Sequence, residues 1–200
     1  MNRLPLVSIC IPTYNGAFYI QEAINSAIAQ TYTNLEIIVS DDGSTDSTLE
    51  LIEPYRKKTK LPIIILHHQP SDISANWNHC IKHAKGEYII TMDGDLQNDP
   101  QDIPKMLEYA VSGEYDVVTG IRQKRKDSLV KKIPSKIANF MVRRVTKLDI
   151  KDNGCALKVF TRDIAKDLNL YGEMHRFITL LAHLEGAQIK QVPVQHHARN

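Results

Sequence analysis

Short apolar runs and amphipathic stretches alternate along the first 120 residues, and the alternation predicts a layered α/β domain. Residues 7–11, 35–40, 63–66, 88–92 and 116–119 are short and rich in Ile, Val, Leu and Tyr, the mark of buried strands. Between them, residues 18–30 place Ile20, Ala23, Ile24, Ala27 and Ile28 at helical spacing. Helices are also expected from near Ser47, over 74–84, and through about Val111 with Pro104 in the first turn. Such a βαβα order predicts a mostly parallel, Rossmann-like central sheet with helices on both faces. After Gly120 the pattern changes to a basic stretch, a helix near 133–145, a strand near 156–160, a helix near 171–184 and a last strand near 188–194. Residues 1–200 therefore read as one domain, with halves 1–120 and 121–200 meeting at Gly120. There is no internal repeat.

The fourth strand stops at Asp93, Gly94, Asp95, Leu96 and Gln97. In open α/β sheets ligands bind beyond the carboxyl ends of strands. Two carboxylates separated by one glycine can turn toward one hard cation, and Gln97 adds a neutral oxygen. Mg²⁺ or Mn²⁺ held by few protein oxygens completes its shell with substrate phosphates, so the stretch suggests a metal-dependent site for a diphosphate. The same acids would also suit an ordinary solvated turn or the DxD of an aspartate-nucleophile phosphatase. That motif sits near the start of its domain and is followed by Thr or Val, whereas Leu96 follows here at mid-chain.

The first βα turn, Pro12-Thr13-Tyr14-Asn15-Gly16, carries neither GxGxxG nor Gly-Lys-Ser/Thr, which disfavours hydride transfer and P-loop hydrolysis. It offers instead an aromatic ring and polar groups that can stack on and bond a base. At the next strand end Asp42 can accept from a base N–H or a ribose hydroxyl, or DDGSTD can simply be a capped turn.

Composition narrows the class further. With 42% hydrophobic and 24% charged residues the chain is ordinary globular protein, which excludes disordered and coiled-coil classes. It contains no uninterrupted apolar run of membrane-spanning length and no cleavage-site pattern at its start, so it is expected neither to span a membrane nor to be secreted. Cys10, Cys80 and Cys155 are odd in number and far apart, which suits reduced, buried thiols of a cytosolic protein. The formal charge of +2 conceals a basic segment: residues 121–147 hold ten Lys and Arg against Asp127 alone. An anionic partner is expected there.

Taken in order, IPTYNG, DDGSTD and the DGD of DGDLQNDP resemble the inverting GT-A glycosyltransferases of family 2. TGIRQKRKD, KIPSKIAN, DNGCALKVF, YGEMHRF and VPVQHHAR are similar to the polyprenyl-phosphate glycosyltransferases, relatives of dolichol-phosphate mannose synthase. The likeness runs from Val7 to Arg199. It implies a GT-A fold with a C-terminal acceptor-side part, and transfer of a sugar from a UDP- or GDP-sugar to a polyprenyl phosphate with inversion. By the same resemblance Asp93, Asp95 and Gln97 hold Mg²⁺ or Mn²⁺, while Pro12, Tyr14, Asn15, Asp42, Asp93 and Arg199 bind the donor. Arg122, Ser135 and Lys136 face the lipid phosphate, with Asp95, Arg122 and Asp152 as catalytic residues.

A phosphate monoester is largely a dianion at neutral pH, so such an acceptor needs no strong base. Asp152 can orient the acceptor or stand as a turn residue. A saccharide acceptor would instead require a base-like acid, and an inactive nucleotide-sugar-binding domain is a third reading. Family members continue past the final arginine, many into membrane-associated helices, and this sequence stops at Asn200. A truncated chain is one expectation, and a protein peripheral to the cytosolic membrane surface another, since anionic lipid attracts basic segments. No nucleic-acid motif accompanies the basic run, so no nucleic-acid partner is expected. A homo-oligomer stays open. His79 and His83 read as a solvated helical face, Trp77 as packing, and His175, Arg176, His196 and His197 as either site-flanking or surface groups.

Overall fold

A computed structural model describes residues 3–123 and 149–197. In chain order the strands are β1 (Val7–Thr13), β2 (Leu35–Asp41), β3 (Ile63–His67), β4 (Tyr88–Thr91), β5 (Val117–Arg122), β6 (Lys158–Thr161) and β7 (Ile189–Val194). The helices are α1 (Ile20–Ile28), α2 (Thr48–Ile52), α3 (Tyr55–Lys58), α4 (Ile73–His83), α5 (Ile103–Val111), α6 (Arg162–Asp167) and α7 (Ile178–Leu184). Two 3₁₀ turns, Pro100–Asp102 and Gly172–Phe177, lead into α5 and α7.

All seven strands lie in one sheet of order β3-β2-β1-β4-β6-β5-β7. β1 pairs in parallel with β2 and β4, and β5 with β7, while β6 runs antiparallel between β4 and β5. The expected parallel sheet therefore has one reversed strand. Every position of β1 and β2 is buried, as strands covered on both faces must be. On one face Ile20, Ile24 and Ala27 of α1 and Ile103, Met106 and Leu107 of α5 pack on Ile9, Ile11, Ile37 and Val39. On the other, Trp77, Cys80 and Ile81 of α4 join Ile178 and Ala182 of α7 over Cys10, Ile38, Ile89, Val117 and Phe160. Each buried Ile, Val, Leu, Met or Phe among them contributes roughly 1.5–3 kcal/mol. All three cysteines are buried and free, and Trp77 is a packing residue.

Elsewhere the elements differ from the sequence reading in informative ways. The helix expected from Ser47 is two short helices that meet at Pro54, whose fixed φ and missing N–H suit a helix start rather than its interior. The helix expected over 171–184 begins as a 3₁₀ turn, with Gly172 at φ 53°. Helix α6 was not anticipated. Gly120 lies inside β5, which continues to Arg122. The helix expected near 133–145 lies outside the described residues.

Topology fixes where a ligand can enter. The chain steps outward from β1 through β2 to β3, then returns to place β4 on the other side of β1. That reversal opens a crevice beyond the carboxyl ends of β1 and β4, the usual ligand position in doubly wound sheets.

Candidate active site

A cavity of about 630 Å³ occupies this crevice. Pro12, Tyr14 and Asn15 from the end of β1 line it, with Asp42 after β2, Pro70, Ser71 and Asp72 before α4, Ile73 and Asn76 within it, and Asp93 and Asp95 after β4. Tyr14 is 58% exposed, so its ring face is available at the rim. Asn15 adopts φ 47°, a left-handed conformation that Asn tolerates better than most residues. Its backbone N–H donates to Ser44 Oγ at 2.8 Å, and its Oδ1 accepts from Thr45 N at 2.9 Å. The β1 loop is thereby tied to the β2 loop. Gly43, at φ 69°, lets the β2 loop pass Pro70: a Cβ there would lie 2.6 Å from the proline ring.

Asp41 and Asp42 have separate roles. Asp41 is fully buried and accepts from Ser44 N at 3.0 Å and His67 Nδ1 at 2.9 Å, which makes it a structural group. Asp42 lines the cavity. Its Oδ1 accepts from Ser71 N and Ser71 Oγ, both at 2.8 Å, and lies 3.3 Å from His68 Nδ1. The described contacts of this carboxylate all fall on Oδ1, so Oδ2 is the oxygen left for a ligand.

Asp93 and Asp95 form the far wall, and with Gln97 they are half-buried on one short loop. Asp95 Oδ1 accepts from Gln97 N at 3.1 Å, and Leu96 between them sits at φ 62°. A leucine in that region stores about 1–3 kcal/mol of backbone strain, a cost often found at ligand sites. The segment after β7 folds onto this loop. Asn98 bridges His196, His197 N donates to Gln97 O at 2.9 Å, and Gln195 N donates to Asp102 Oδ2 at 2.7 Å. His197 Nε2 lies 3.2 Å from Asp99 Oδ2, so the two terminal histidines are built into the acidic loop's support. Arg199, two residues further on, lies outside the described residues, as do Ser135 and Lys136.

β5 ends at Arg122, whose Nε and Nη2 donate to Asp152 Oδ2 and Oδ1 at 2.7 and 2.8 Å. The side chains are 12% and 9% exposed, so this bidentate pair is largely dry. Arg122 N and Gly154 N also donate to the Asp152 carboxylate, at 3.1 and 3.2 Å. Gly154 leaves room for the guanidinium, since a Cβ there would stand 2.9 Å from Nη2 and push it aside. The two residues assigned separately from the sequence thus form one unit. A carboxylate held by a guanidinium and two backbone N–H groups is a poor proton acceptor.

Between the two walls runs β6, and with it Lys158, a residue sequence reasoning overlooked. It is 3% exposed and pairs in register with Thr91 of β4 and Thr119 of β5. Its Nζ donates to the Cys155 carbonyl. Burial pushes this ammonium below the ordinary lysine range, against the pull of Cys155, Asp93 and Asp152 and with the push of Arg122. The signal was available: ALKVF places a lysine inside an apolar strand. His68, Ser71 and Asn76 were also missed, and they carry no local pattern, being gathered only by the fold. His79 is half-buried rather than solvated, with its ring edge-on to His68 at 4.6 Å and to His83 at 4.9 Å. His175 Nδ1 lies 3.4 Å from Ser74 Oγ, under the start of α4, while Arg176 makes an exposed pair with Glu173.

Comparison with known proteins agrees with this architecture. The chain is 38% identical to a dodecaprenyl-phosphate galacturonate synthase of Rhizobium johnstonii over 96% of its length and 59% of the relative's. It is 33% identical to an undecaprenyl-phosphate 4-deoxy-4-formamido-L-arabinose transferase of Edwardsiella ictaluri over 98% of its length and 61% of the relative's. The chain thus spans about three fifths of these relatives. A Pyrobaculum calidifontis mannosyltransferase solved with GDP-Man and Mn²⁺ superposes with TM-score 0.75 at 18% identity, covering 99% of this chain and 58% of that one. Glucosyl-3-phosphoglycerate synthase of Mycobacterium tuberculosis, solved with Mn²⁺ and UDP-Glc, gives 0.76 at 17% identity, covering 98% and 72%. The fold is that of the GT-A glycosyltransferases. The family model for glycosyl transferase family 2 matches residues 8–168, and the chain belongs to that family.

Proposed function

We propose that this chain is the catalytic part of a polyprenyl-phosphate glycosyltransferase, which moves a sugar from a nucleoside diphosphate to the phosphate of a membrane polyprenol with inversion. The observation that carries the reading is the pairing of a nucleoside-sized cavity ending in Asp93 and Asp95 with the Arg122–Asp152 pair two strands away. Its relatives act on polyprenyl phosphates by name.

Asp93 and Asp95 line the cavity and Gln97 follows on the same loop, and their hard oxygen donors fit a divalent cation sharing its shell with substrate phosphates. When bound, Mg²⁺ or Mn²⁺ supplies Lewis-acid neutralisation of the departing diphosphate. Asp42 would hold the base through Oδ2. One free acceptor matches the single N3–H of uracil, whereas guanine presents N1–H and N2–H together, so a UDP-sugar is favoured. Tyr14 would stack at the rim. On the other side Arg122, oriented by Asp152, would pair with the acceptor phosphate. A phosphate oxygen then forms a bond to the anomeric carbon from the face opposite the diphosphate. The carbon–oxygen bond to the β-phosphate breaks, and its electron pair leaves with the nucleotide. No proton moves, which agrees with Asp152 being engaged by Arg122, and the same commitment argues against a saccharide acceptor.

Among the described residues no helix is long and apolar enough to cross a membrane. The basic residues of 121–147 would bring the site to an anionic surface, in keeping with work at the inner membrane face. Titration of UDP and of GDP, with and without Mn²⁺, tests the donor half. Metal-dependent binding of UDP, lost in Asp95→Asn with an unchanged melt, is the expected outcome. Mn²⁺-dependent binding that survives in Asp95→Asn overturns the site.

A further inference from the structure

A guanidinium that grips a carboxylate with two hydrogen bonds forms a unit without net charge. Nε and Nη2 of Arg122 both donate to Asp152, so the pair that would meet the acceptor phosphate is neutral as a whole. Taking a phosphate dianion out of water beside a neutral pair costs desolvation that hydrogen bonds only partly offset. Lys158 is the cation that changes this balance. Leu157 and Val159 belong to the core under α1 and α5, so Lys158 projects from the opposite face with Phe160, in register with the buried Thr91 and Thr119. Thr91 Oγ1 donates to the Ala156 carbonyl at 2.8 Å, and Lys158 Nζ donates to the carbonyl of Cys155. Side chains of two neighbouring strands thus hold consecutive carbonyls of the chain that leads from Asp152 into β6.

We propose, resting on the metal and acceptor assignments above, that Lys158 is a positioning residue whose buried positive charge serves both halves of the site. It fastens the turn that presents Asp152 to Arg122, leaves the acceptor end with a net positive charge, and tempers the pull of Asp93 on a divalent cation. The groups that bear on its ammonium are the ones this role requires. Burial opposes the charge most, Cys155, Asp93 and Asp152 favour it, and Arg122 opposes it. An apolar residue at this strand position would avoid the burial cost, so stability alone gives no reason for a lysine here.

One charge acting on two ligands of opposite sign leaves a signature that packing does not. Toward Asp93 it repels an incoming cation, and toward Arg122 it attracts an incoming phosphate. Removing it should strengthen the first interaction and weaken the second, by roughly tenfold each, the scale of one unit charge several ångströms away in a partly buried site. Loss of packing, or of the tie to Cys155, weakens both together. Lys158→Gln drops the charge and can still donate to a carbonyl, whereas Lys158→Arg keeps the charge.

The probes are Mn²⁺ alone, read by the electron spin resonance of the free ion, and farnesyl phosphate, read by calorimetry with uncharged farnesol as the control. At neutral pH Lys158→Gln should bind Mn²⁺ more tightly than wild type and farnesyl phosphate less tightly, with farnesol unchanged. Lys158→Arg should stay close to wild type for both probes. Where Lys158→Gln melts below the assay temperature, Lys158→Met takes its place. Mn²⁺ affinity that falls together with phosphate affinity makes Lys158 a packing residue and overturns the proposal. Unchanged affinities in Lys158→Gln, or the same opposite shifts in Lys158→Arg, overturn it too. A wild type that binds neither Mn²⁺ nor farnesyl phosphate defeats the proposed function itself, and this proposal with it.

Discussion

Lys158 shows how a single residue can set stability against function. Its ammonium is buried within reach of the charges of Asp93 and the Arg122–Asp152 pair, and burial is the largest influence on it. A lysine whose folded-state pKa lies below its unfolded value costs stability at every pH where the unfolded chain holds the proton. The cost is complete below the folded pKa and is relieved as pH rises toward the unfolded value of about 10.4. Lys158→Met should therefore raise the melting temperature at neutral pH and remove the alkaline gain in stability. It should also lower turnover, since Asp93 and Asp152 lose the cation between them. A melting temperature that falls in Lys158→Met at neutral pH would show that ion pairing outweighs desolvation. Arg122 gives the complementary case. Arg122→Ala should cut acceptor kcat/KM on the order of a hundredfold while UDP affinity changes little. Equal losses in both would remove Arg122 from the acceptor side.

Among the elements, α4 is the one that carries the wall. Asp72 caps it, accepting from Ala75 N at 2.8 Å through Oδ1 and from Gly172 N at 3.3 Å through Oδ2. Ser74 Oγ donates to the Gly172 carbonyl at 2.7 Å, and Asn78 exchanges hydrogen bonds with the backbone of Leu170. The 3₁₀ turn before α7 thus braces the helix whose first turn lines the cavity. Asp72→Ala removes a cap worth about 1 kcal/mol and a tie to Gly172. The expected result is a melting temperature a few degrees lower with weakened UDP binding and unchanged acceptor KM, read by calorimetry and steady-state kinetics. Unchanged UDP affinity would mean that α4 keeps its place without the cap.

For the whole molecule, strand order makes the site and the sequence supplies its parts. The strand positions over residues 7–119 and the acids at 42, 93 and 95 were legible because each is a local pattern, an apolar run and then a charged group where the run stops, whereas Arg122 was reached through the family resemblance. Fold class followed from the alternation of those runs. Hydrophobic period cannot tell a strand's direction, so the antiparallel β6 between β4 and β5 became known only from the pairing. That one reversal seats Lys158 between the Asp93–Gln97 loop and Arg122. The partnership of Arg122 with Asp152, 30 residues apart, is likewise a product of long-range packing. Local spacing determined which residues can do chemistry at the carboxyl edge of the sheet. Only tertiary structure decided which of them share a charge, because that depends on distances across strands that no sequence interval encodes.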